Sequence, residues 1–213
     1  MESGAGAFSE IATLNYGRLS YSLERFQEAV NAYATLDKIA QLENNRLEAK
    51  TGLIKSYFMC RNYEQTLIET DAMLKSESTR ENIKLAKYYK AKSHLALGER
   101  EAALVLLKEI SKELARSEGA EAAYLLISDA YDAGDFESVE KQTFALSESA
   151  TPQTYWLAKS FIILGDSYAE RGNLEQAEAT FNSIKENYTP LENDDIPDLL
   201  KIRLDKLAQM KKQ

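Results

Sequence analysis

Apolar residues recur along this 213-residue chain at spacings of three and four, the period of a helix with one buried face. The stretch "LGDSYAERGNLEQAEATF" shows the pattern most clearly, with small and aromatic residues at Gly165, Tyr168, Gly172, Ala177 and Phe181. None of these side chains is chemically reactive, so the spacing indicates packing. We expect one helix before Gly172 and another after it, with this glycine supplying a left-handed turn residue.

The same two-helix pattern occurs five times. A small or β-branched residue early in the second helix of each pair marks the period, at Ala29, Thr66, Ala103, Val139 and Ala177, with intervals of 37, 37, 36 and 38 residues. Self-similarity at a fixed period of this length indicates a helical repeat array. The sequence therefore predicts an all-α solenoid over residues 1–193, with units at about 8–44, 45–79, 80–117, 118–151 and 152–193.

Local signals predict where the helices of the fifth unit begin and end. We expect Thr151 to cap its first helix and Pro152 to lie in the first turn of that helix. Asn173 is the expected cap of the second helix, and Pro190 is expected to stop it.

Residues 194–213 predict one further helix. Pro197 suits its first turn, and Leu200, Leu204 and Leu207 form one stripe. The end units of solenoids need a cap with a polar outer face, and we interpret this helix as that cap. The alternative is an amphipathic membrane or partner helix, which the absence of Trp and Phe from the stripe disfavours.

These motifs resemble the tetratricopeptide repeat, whose pattern is W-x₂-L-G-x₂-Y, then A-x₃-F, then P. The fifth unit matches it with Phe161 at the Trp position, and the fourth is registered on Tyr131 with a turn one residue shorter. The third, "KYYKAKSHLALG", can be registered on His94 or on Leu95. The resemblance implies a right-handed solenoid of helix pairs, although the period exceeds the family's 34 residues.

The chain is also similar to the C-terminal part of long bacterial repeat proteins of the Bacteroidota type. "TPQTYWLAKSFIILGDSYAERGNLEQAEATFNSIKENY" is the stretch that carries this similarity. It implies that the parent protein is periplasmic or associated with the outer membrane.

The resemblance further implies a function, because the first helices of such pairs line a concave surface that binds peptides or proteins. The family's inward-facing positions fall on eight residues, which run from basic to acidic along the chain: Lys55, Phe58, Met59, Tyr88, Lys92, Asp129, Asp166 and Glu170. The leading prediction is a scaffold that binds a protein or peptide partner there. The alternative is a structural or oligomerisation module that stacks end to end through its first repeat.

Charge narrows the class of partner. The net charge is −8, and residues 118–198 carry 17 acidic against 4 basic residues. Nucleic-acid binders normally show a basic stripe, so we expect no nucleic-acid partner. No apolar stretch approaches the roughly 18 residues of a membrane span, and no signal peptide is visible in the first 30 residues.

Candidate chemistry is sparse. His94 and Cys60 are single residues of their type, and neither has the neighbouring ligands or base that a metal site or a nucleophile would need, so we expect both to pack. We predict no enzyme activity and no cofactor. Tyr155 and Trp156 leave two interpretations open, packing on the fourth unit or forming an exposed anchor.

Overall fold

The computed structural model describes residues 2–76 and 79–211, with side chains from residue 8 onward. The last two residues of the predicted tail segment, 212 and 213, lie outside the described residues, as do residues 77 and 78 near the end of the second predicted unit. Within the described ranges every regular element is a helix, which confirms the all-α prediction. The helices are α1 (Glu2–Ser22), α2 (Phe26–Ile39), α3 (Glu43–Met59), α4 (Tyr63–Lys75), α5 (Arg80–Ala96), α6 (Arg100–Ile110), α7 (Ser117–Asp132), α8 (Phe136–Glu148), α9 (Thr154–Glu170), α10 (Leu174–Asn187) and α11 (Ile196–Met210).

The chain divides into two compact halves, residues 1–106 and 107–213, with the division inside α6. In the N-terminal half, α1 to α5 pack in consecutive pairs, and α3 also contacts α1 and α5. In the C-terminal half, α7 to α11 pack consecutively, and α9 also contacts α7 and α11. Within each half, α1 to α5 and α7 to α11 thus pack on their neighbours in the chain, and each odd-numbered helix packs on the next odd-numbered one. This arrangement is consistent with an α-solenoid.

Five turns between paired helices repeat one backbone conformation. Each places a residue at positive φ between 59° and 77°, at Glu24, Arg61, Gly98, Gly134 and Gly172. The intervals are 37, 37, 36 and 38 residues, the same as those of the sequence pattern. In the last turn the N–H of Asn173 donates to the carbonyl of Tyr168, the bond that closes a helix beyond a left-handed residue. The left-handed role predicted for Gly172 is confirmed.

That closing bond also fixes the register of the pairs. Its acceptor is Ser20, Tyr57, His94, Ala130 and Tyr168 in the five turns. The third pair is therefore registered on His94. In the fourth pair Ala130, and not Tyr131, is equivalent to Tyr168, so the sequence register was wrong by one residue there.

Contacts between aromatic rings explain why the register of the fourth helix pair was predicted wrongly. Tyr131 packs at a tilt against Phe136, the first residue of the next helix, with ring centroids 5.8 Å apart and an interplanar angle of 59°. Phe58 makes the equivalent contact with Tyr63, with ring centroids 5.5 Å apart and an interplanar angle of 62°. Tyr131 is therefore the counterpart of Phe58. The sequence pattern had placed it one position earlier, at the counterpart of Tyr168.

Small residues lie at the closest approaches between helices. The five period-marking residues, from Ala29 to Ala177, are all fully buried. An added Cβ on Gly165 would collide with the ring of Phe181, which is itself buried. The ring of Tyr33 lies between two glycines in the same way, 2.9 Å from where a Cβ on Gly17 would be and 2.6 Å from one on Gly52. One aromatic ring thus packs against its own helix pair and the next.

The helix starts differ in part from the prediction. α9 begins at Thr154, so Pro152 precedes its first turn. Thr151 is not the cap of α9. Its hydroxyl instead donates to the carbonyl of Leu114 at 2.6 Å, which ties the loop before α9 to the segment before α7. Asn173 does occupy the N-cap of α10, although its side chain makes no capping bond.

α11 packs on α9 and α10 through its predicted stripe. Leu200 and Leu207 are buried, and Leu204 is half-buried against the same cluster. Pro197 lies in the first turn, as predicted. Asp195, just before the helix, accepts hydrogen bonds from Lys159 at 2.9 Å and from Tyr155 at 3.0 Å, which fastens the start of α11 to α9.

Candidate functional site

A cation–aromatic cluster joins two odd-numbered helices of the N-terminal half. The Lys92 Nζ lies 5.0 Å from the ring centroid of Tyr88 and 5.4 Å from that of Phe58, and it donates to the Tyr88 hydroxyl at 3.1 Å. Phe58 belongs to α3 and the other two to α5. All three are half-buried, so part of each remains accessible. Three of the eight predicted groove residues are therefore brought together.

Two tyrosines extend this cluster across α1. Tyr89 packs edge-on against Phe58, with ring centroids 5.2 Å apart. Its hydroxyl also reaches Tyr21 of α1, and burial raises the pKa of Tyr21 while this hydrogen bond opposes the rise. An aromatic line thus crosses α1, α3 and α5. Tyr21 and Tyr89 were not predicted from the sequence. The signal that could have revealed Tyr21 was its position five residues before Phe26, against which it packs.

Lys55 and Met59 lie on α3 beside Phe58. Met59 is 43% exposed, and Lys55 is half-buried. Lys55 precedes Lys92 by one turn period of 37 residues, so the two lysines occupy equivalent places on α3 and α5. Together with the aromatic cluster they give this face of the N-terminal half partly exposed apolar and cationic groups.

The acidic end of the predicted groove is a cleft in the C-terminal half. Asp166 and Glu170 of α9 line it together with Tyr131 and with Arg203 and Lys206 of α11, around a cavity of about 480 Å³. Arg203 Nη2 lies 3.3 Å from Asp166 Oδ2. Burial raises the pKa of Asp166, and the Arg203 charge offsets part of that rise. The predicted acidic character is thus neutralised by two basic residues from the tail helix.

Asp129 occupies a different repeat position from Lys55, Lys92 and Asp166. It is half-buried on α7. By the closing hydrogen bonds it is equivalent to the fully buried Ser167, while Ser128 is equivalent to Asp166. The reason for choosing Asp129 thus applies to Ser128, and a groove role for Asp129 stays a prediction.

A second aromatic group lies between α7 and α9. Trp156 stacks at a tilt on Tyr124 with centroids 5.4 Å apart, and its indole N–H donates to Ser117 at 3.2 Å. The Lys159 Nζ lies 5.8 Å from the centroid of the Tyr155 ring. Burial together with Asp195 raises the pKa of Tyr155 to about 12. Of the two interpretations of Trp156, packing on the fourth pair is therefore correct.

His94 and Cys60, the two candidate reactive residues, both have structural roles. His94 Nδ1 lies 2.5 Å from Glu99 Oε2 across the third turn. Cys60 caps the end of α3, and burial raises the pKa of its thiol, which disfavours the reactive thiolate. Among the described residues no group of three or more His, Cys, Asp or Glu side chains could hold a metal ion. None of the described helices has the length and apolar character to cross a bilayer.

Comparison with known proteins adds no family assignment. No family model matches the chain, and no curated protein matches it.

Proposed function

We propose that this protein is a scaffold of tetratricopeptide-type helix pairs, stacked with right-handed connections, that binds a protein or peptide segment on the exposed face of its odd-numbered helices. The accessible Phe58–Tyr88–Lys92 cluster carries the proposal. As a recognition element it offers an apolar surface and a positive charge at one place.

The side chains on this face of the N-terminal half favour one kind of partner. Lys55 and Lys92 occupy equivalent places on adjacent odd-numbered helices. The Phe58 ring lies beside Lys92, and Met59 lies one turn along α3 from Lys55. An extended segment with carboxylates flanking an aromatic or aliphatic residue would match both features. The carboxylates would pair with the lysines, and the apolar residue would lie on Phe58 and Met59.

The charged and the apolar contacts with the proposed partner should contribute differently to binding as the salt concentration rises. Exposed charges mainly steer association and are screened within about 8 Å at physiological salt. Binding should therefore weaken as salt rises, down to a level that the apolar contacts maintain. No catalytic activity forms part of the proposal.

The test is affinity capture from the source organism with the wild type, with Lys55→Glu/Lys92→Glu, and with a control that makes the same charge change elsewhere. Lys108 and Lys185 are exposed on even-numbered helices, so Lys108→Glu/Lys185→Glu is the matched control. We expect the wild type and the control to recover the same proteins and the groove variant to lose them. Equal recovery by all three would refute the proposal.

A further inference from the structure

The cleft between α9 and α11 has an acidic side and a basic side. Asp166 and Glu170 line it from α9, and Arg203 and Lys206 line it from α11. Spacings of four and three residues place each pair on one face of its helix, where like charges are slightly destabilising. The stability of the separate helices therefore does not explain either pair. What the two pairs provide together is a carboxylate face and a cationic face around one cavity.

One charge pair closes across this cleft, and a second stays open. Arg203 donates from Nε and Nη2 to the Asp166 carboxylate at 3.3 to 3.4 Å, and the two side chains are only 30% and 25% exposed. Glu170 and Lys206 are exposed, and neither makes a hydrogen bond or an ion pair with another described residue. The cleft thus offers a carboxylate and an ammonium group that both lack a partner within the described chain.

Tyr131 of α7 adds a hydroxyl group to the same cavity. Its ring packs on Phe136, and Phe58 makes the equivalent contact without a hydroxyl, so packing does not account for this group. The hydroxyl makes no hydrogen bond with the other described residues. Burial and the nearby Asp166 and Glu170 charges raise the pKa of Tyr131, which keeps the hydroxyl neutral and available for a hydrogen bond.

The size and composition of the cleft indicate the class of ligand. Its volume of about 480 Å³ lies within the roughly 300–1,000 Å³ of small-molecule sites. Ile202, 58% exposed, gives it an apolar edge. A bound cation would leave Lys206 without a partner in a cleft that the ligand has partly dehydrated, and a bound anion would leave Glu170 so, which is unfavourable in both cases. A ligand with both charges satisfies both residues.

We propose that this cleft binds a small zwitterion with an apolar side chain, a free amino acid or a dipeptide. Its ammonium group donates to the Glu170 carboxylate and to the Tyr131 hydroxyl oxygen, and its carboxylate pairs with Lys206. Its side chain lies against Ile202. The closed Asp166–Arg203 pair forms one side of the site without competing for the ligand, because its charges already satisfy each other.

Isothermal titration calorimetry on the full chain with L-leucine, L-phenylalanine and L-leucyl-L-leucine tests the proposal. N-acetyl-leucine lacks the ammonium group and leucinamide lacks the carboxylate, so each should bind about 10-fold or more weakly than leucine, the usual effect of losing a hydrogen bond to a charged group. Glycine lacks the apolar side chain and should also bind more weakly. Tighter binding of leucine or of leucyl-leucine identifies the ligand as an amino acid or a dipeptide.

Two substitutions assign the ligand's charges to their partners. Glu170→Gln should abolish the preference for leucine over N-acetyl-leucine and keep the preference over leucinamide, and Lys206→Gln should do the reverse. Both residues are exposed, so both variants should melt with the wild type. Glu186→Gln and Lys201→Gln, at exposed positions that do not line the cleft, are the matched controls and should bind like the wild type.

Three results would overturn the proposal. The first is no binding of any of the zwitterions at millimolar concentration. The second is equal binding of leucine and its two singly charged derivatives, and the third is unchanged selectivity in the Glu170 and Lys206 variants. None of these results bears on partner binding at the aromatic cluster of α3 and α5, because the site lies within the C-terminal half.

Discussion

At the scale of single residues, the helix pairs depend on small residues facing large rings. Gly165 leaves the space that Phe181 occupies, and Gly17 and Gly52 together leave the space for Tyr33. These contacts explain why glycine, alanine and aromatic residues recur at fixed intervals in the sequence. A side chain at any of these glycines would have to displace a packed ring.

Gly165→Leu should therefore lower the free energy of unfolding by about 1–3 kcal/mol, the usual cost of overpacking a filled core. Ala179→Leu is the control, because Ala179 is exposed on α10. Chemical denaturation monitored by circular dichroism measures both. Equal stability of the two variants would show that Gly165 does not lie at a close contact.

Glu10 is a residue whose role sequence reasoning did not find. Its buried carboxylate accepts hydrogen bonds from Asn45 Nδ2 at 2.8 Å and from the Gln41 N–H at 2.9 Å, at the start of α3. These bonds, the Asn45 bond foremost, lower the pKa of Glu10 below its ordinary 4.5. The partners lie more than thirty positions away in the chain, so a local pattern could not reveal them.

This lowered pKa predicts a pH dependence. A carboxyl group whose folded pKa lies below its unfolded value stabilises the fold above the unfolded pKa and loses that effect as the pH falls through the folded value. Glu10→Gln should therefore melt below the wild type at neutral pH, with the difference shrinking once the pH falls below 4.5. Melting curves at several pH values test this. A difference that stays constant with pH would mean that the charge of Glu10 is not involved.

At the scale of elements, the turns are the most regular feature. Three use glycine at the left-handed position, whereas Glu24 and Arg61 adopt the same conformation with a side chain. Left-handed backbone costs a residue with a Cβ roughly 1–2 kcal/mol. An added Cβ on Gly172 would meet no atom within 4 Å, so a substitution there tests the backbone alone.

The two kinds of turn predict opposite effects. Gly172→Ala should destabilise the protein by about 1 kcal/mol, because alanine resists the left-handed conformation. Arg61→Gly should stabilise it by a smaller amount, since the greater freedom of glycine in the unfolded chain offsets part of the gain. Thermal melts of the two variants beside the wild type provide the comparison. Shifts of the same sign would contradict the equivalence of the turns.

The helix pairs could be predicted from sequence because their signals are local. The apolar period and the glycines located the helices and the register of three of the five turns, and they left the third turn open between His94 and Leu95. The register of the fourth pair was predicted one residue off because the pattern is degenerate. Tyr131 fits the aromatic position of the pattern, whereas Ala130 occupies that position in the structure. The Asp166–Arg203 pair could not be foreseen, because it depends on how α11 packs against α9.

At the scale of the whole molecule, α11 covers apolar surface of the C-terminal half. Ile196, Leu200 and Leu207 are buried in the cluster that α9 and α10 share. Asp195 fastens the start of the helix to Lys159 and Tyr155. These contacts support the interpretation of α11 as a cap and disfavour a free partner-binding helix.

Removal of residues 194–213 should therefore lower the melting temperature or cause aggregation, because it exposes the apolar face of α9 and α10. Removal of residues 208–213 alone keeps the three buried residues and serves as the control. Differential scanning calorimetry and light scattering measure the outcome. An unchanged melting temperature after the longer truncation would mean that α11 does not act as a cap.

Site-specific photo-crosslinking is the sharpest test of the proposal that partners bind the exposed face of the odd-numbered helices. A photoreactive phenylalanine analogue would replace Met59 on α3 in one variant and Ile68 on α4 in the other; these side chains are 43% and 59% exposed. In extracts of the source organism, we predict a discrete cross-linked partner from position 59 that the Lys55→Glu/Lys92→Glu substitutions abolish, and none from position 68. Cross-linking from position 68 alone, or adducts at position 59 that survive the charge reversal, would contradict the claim.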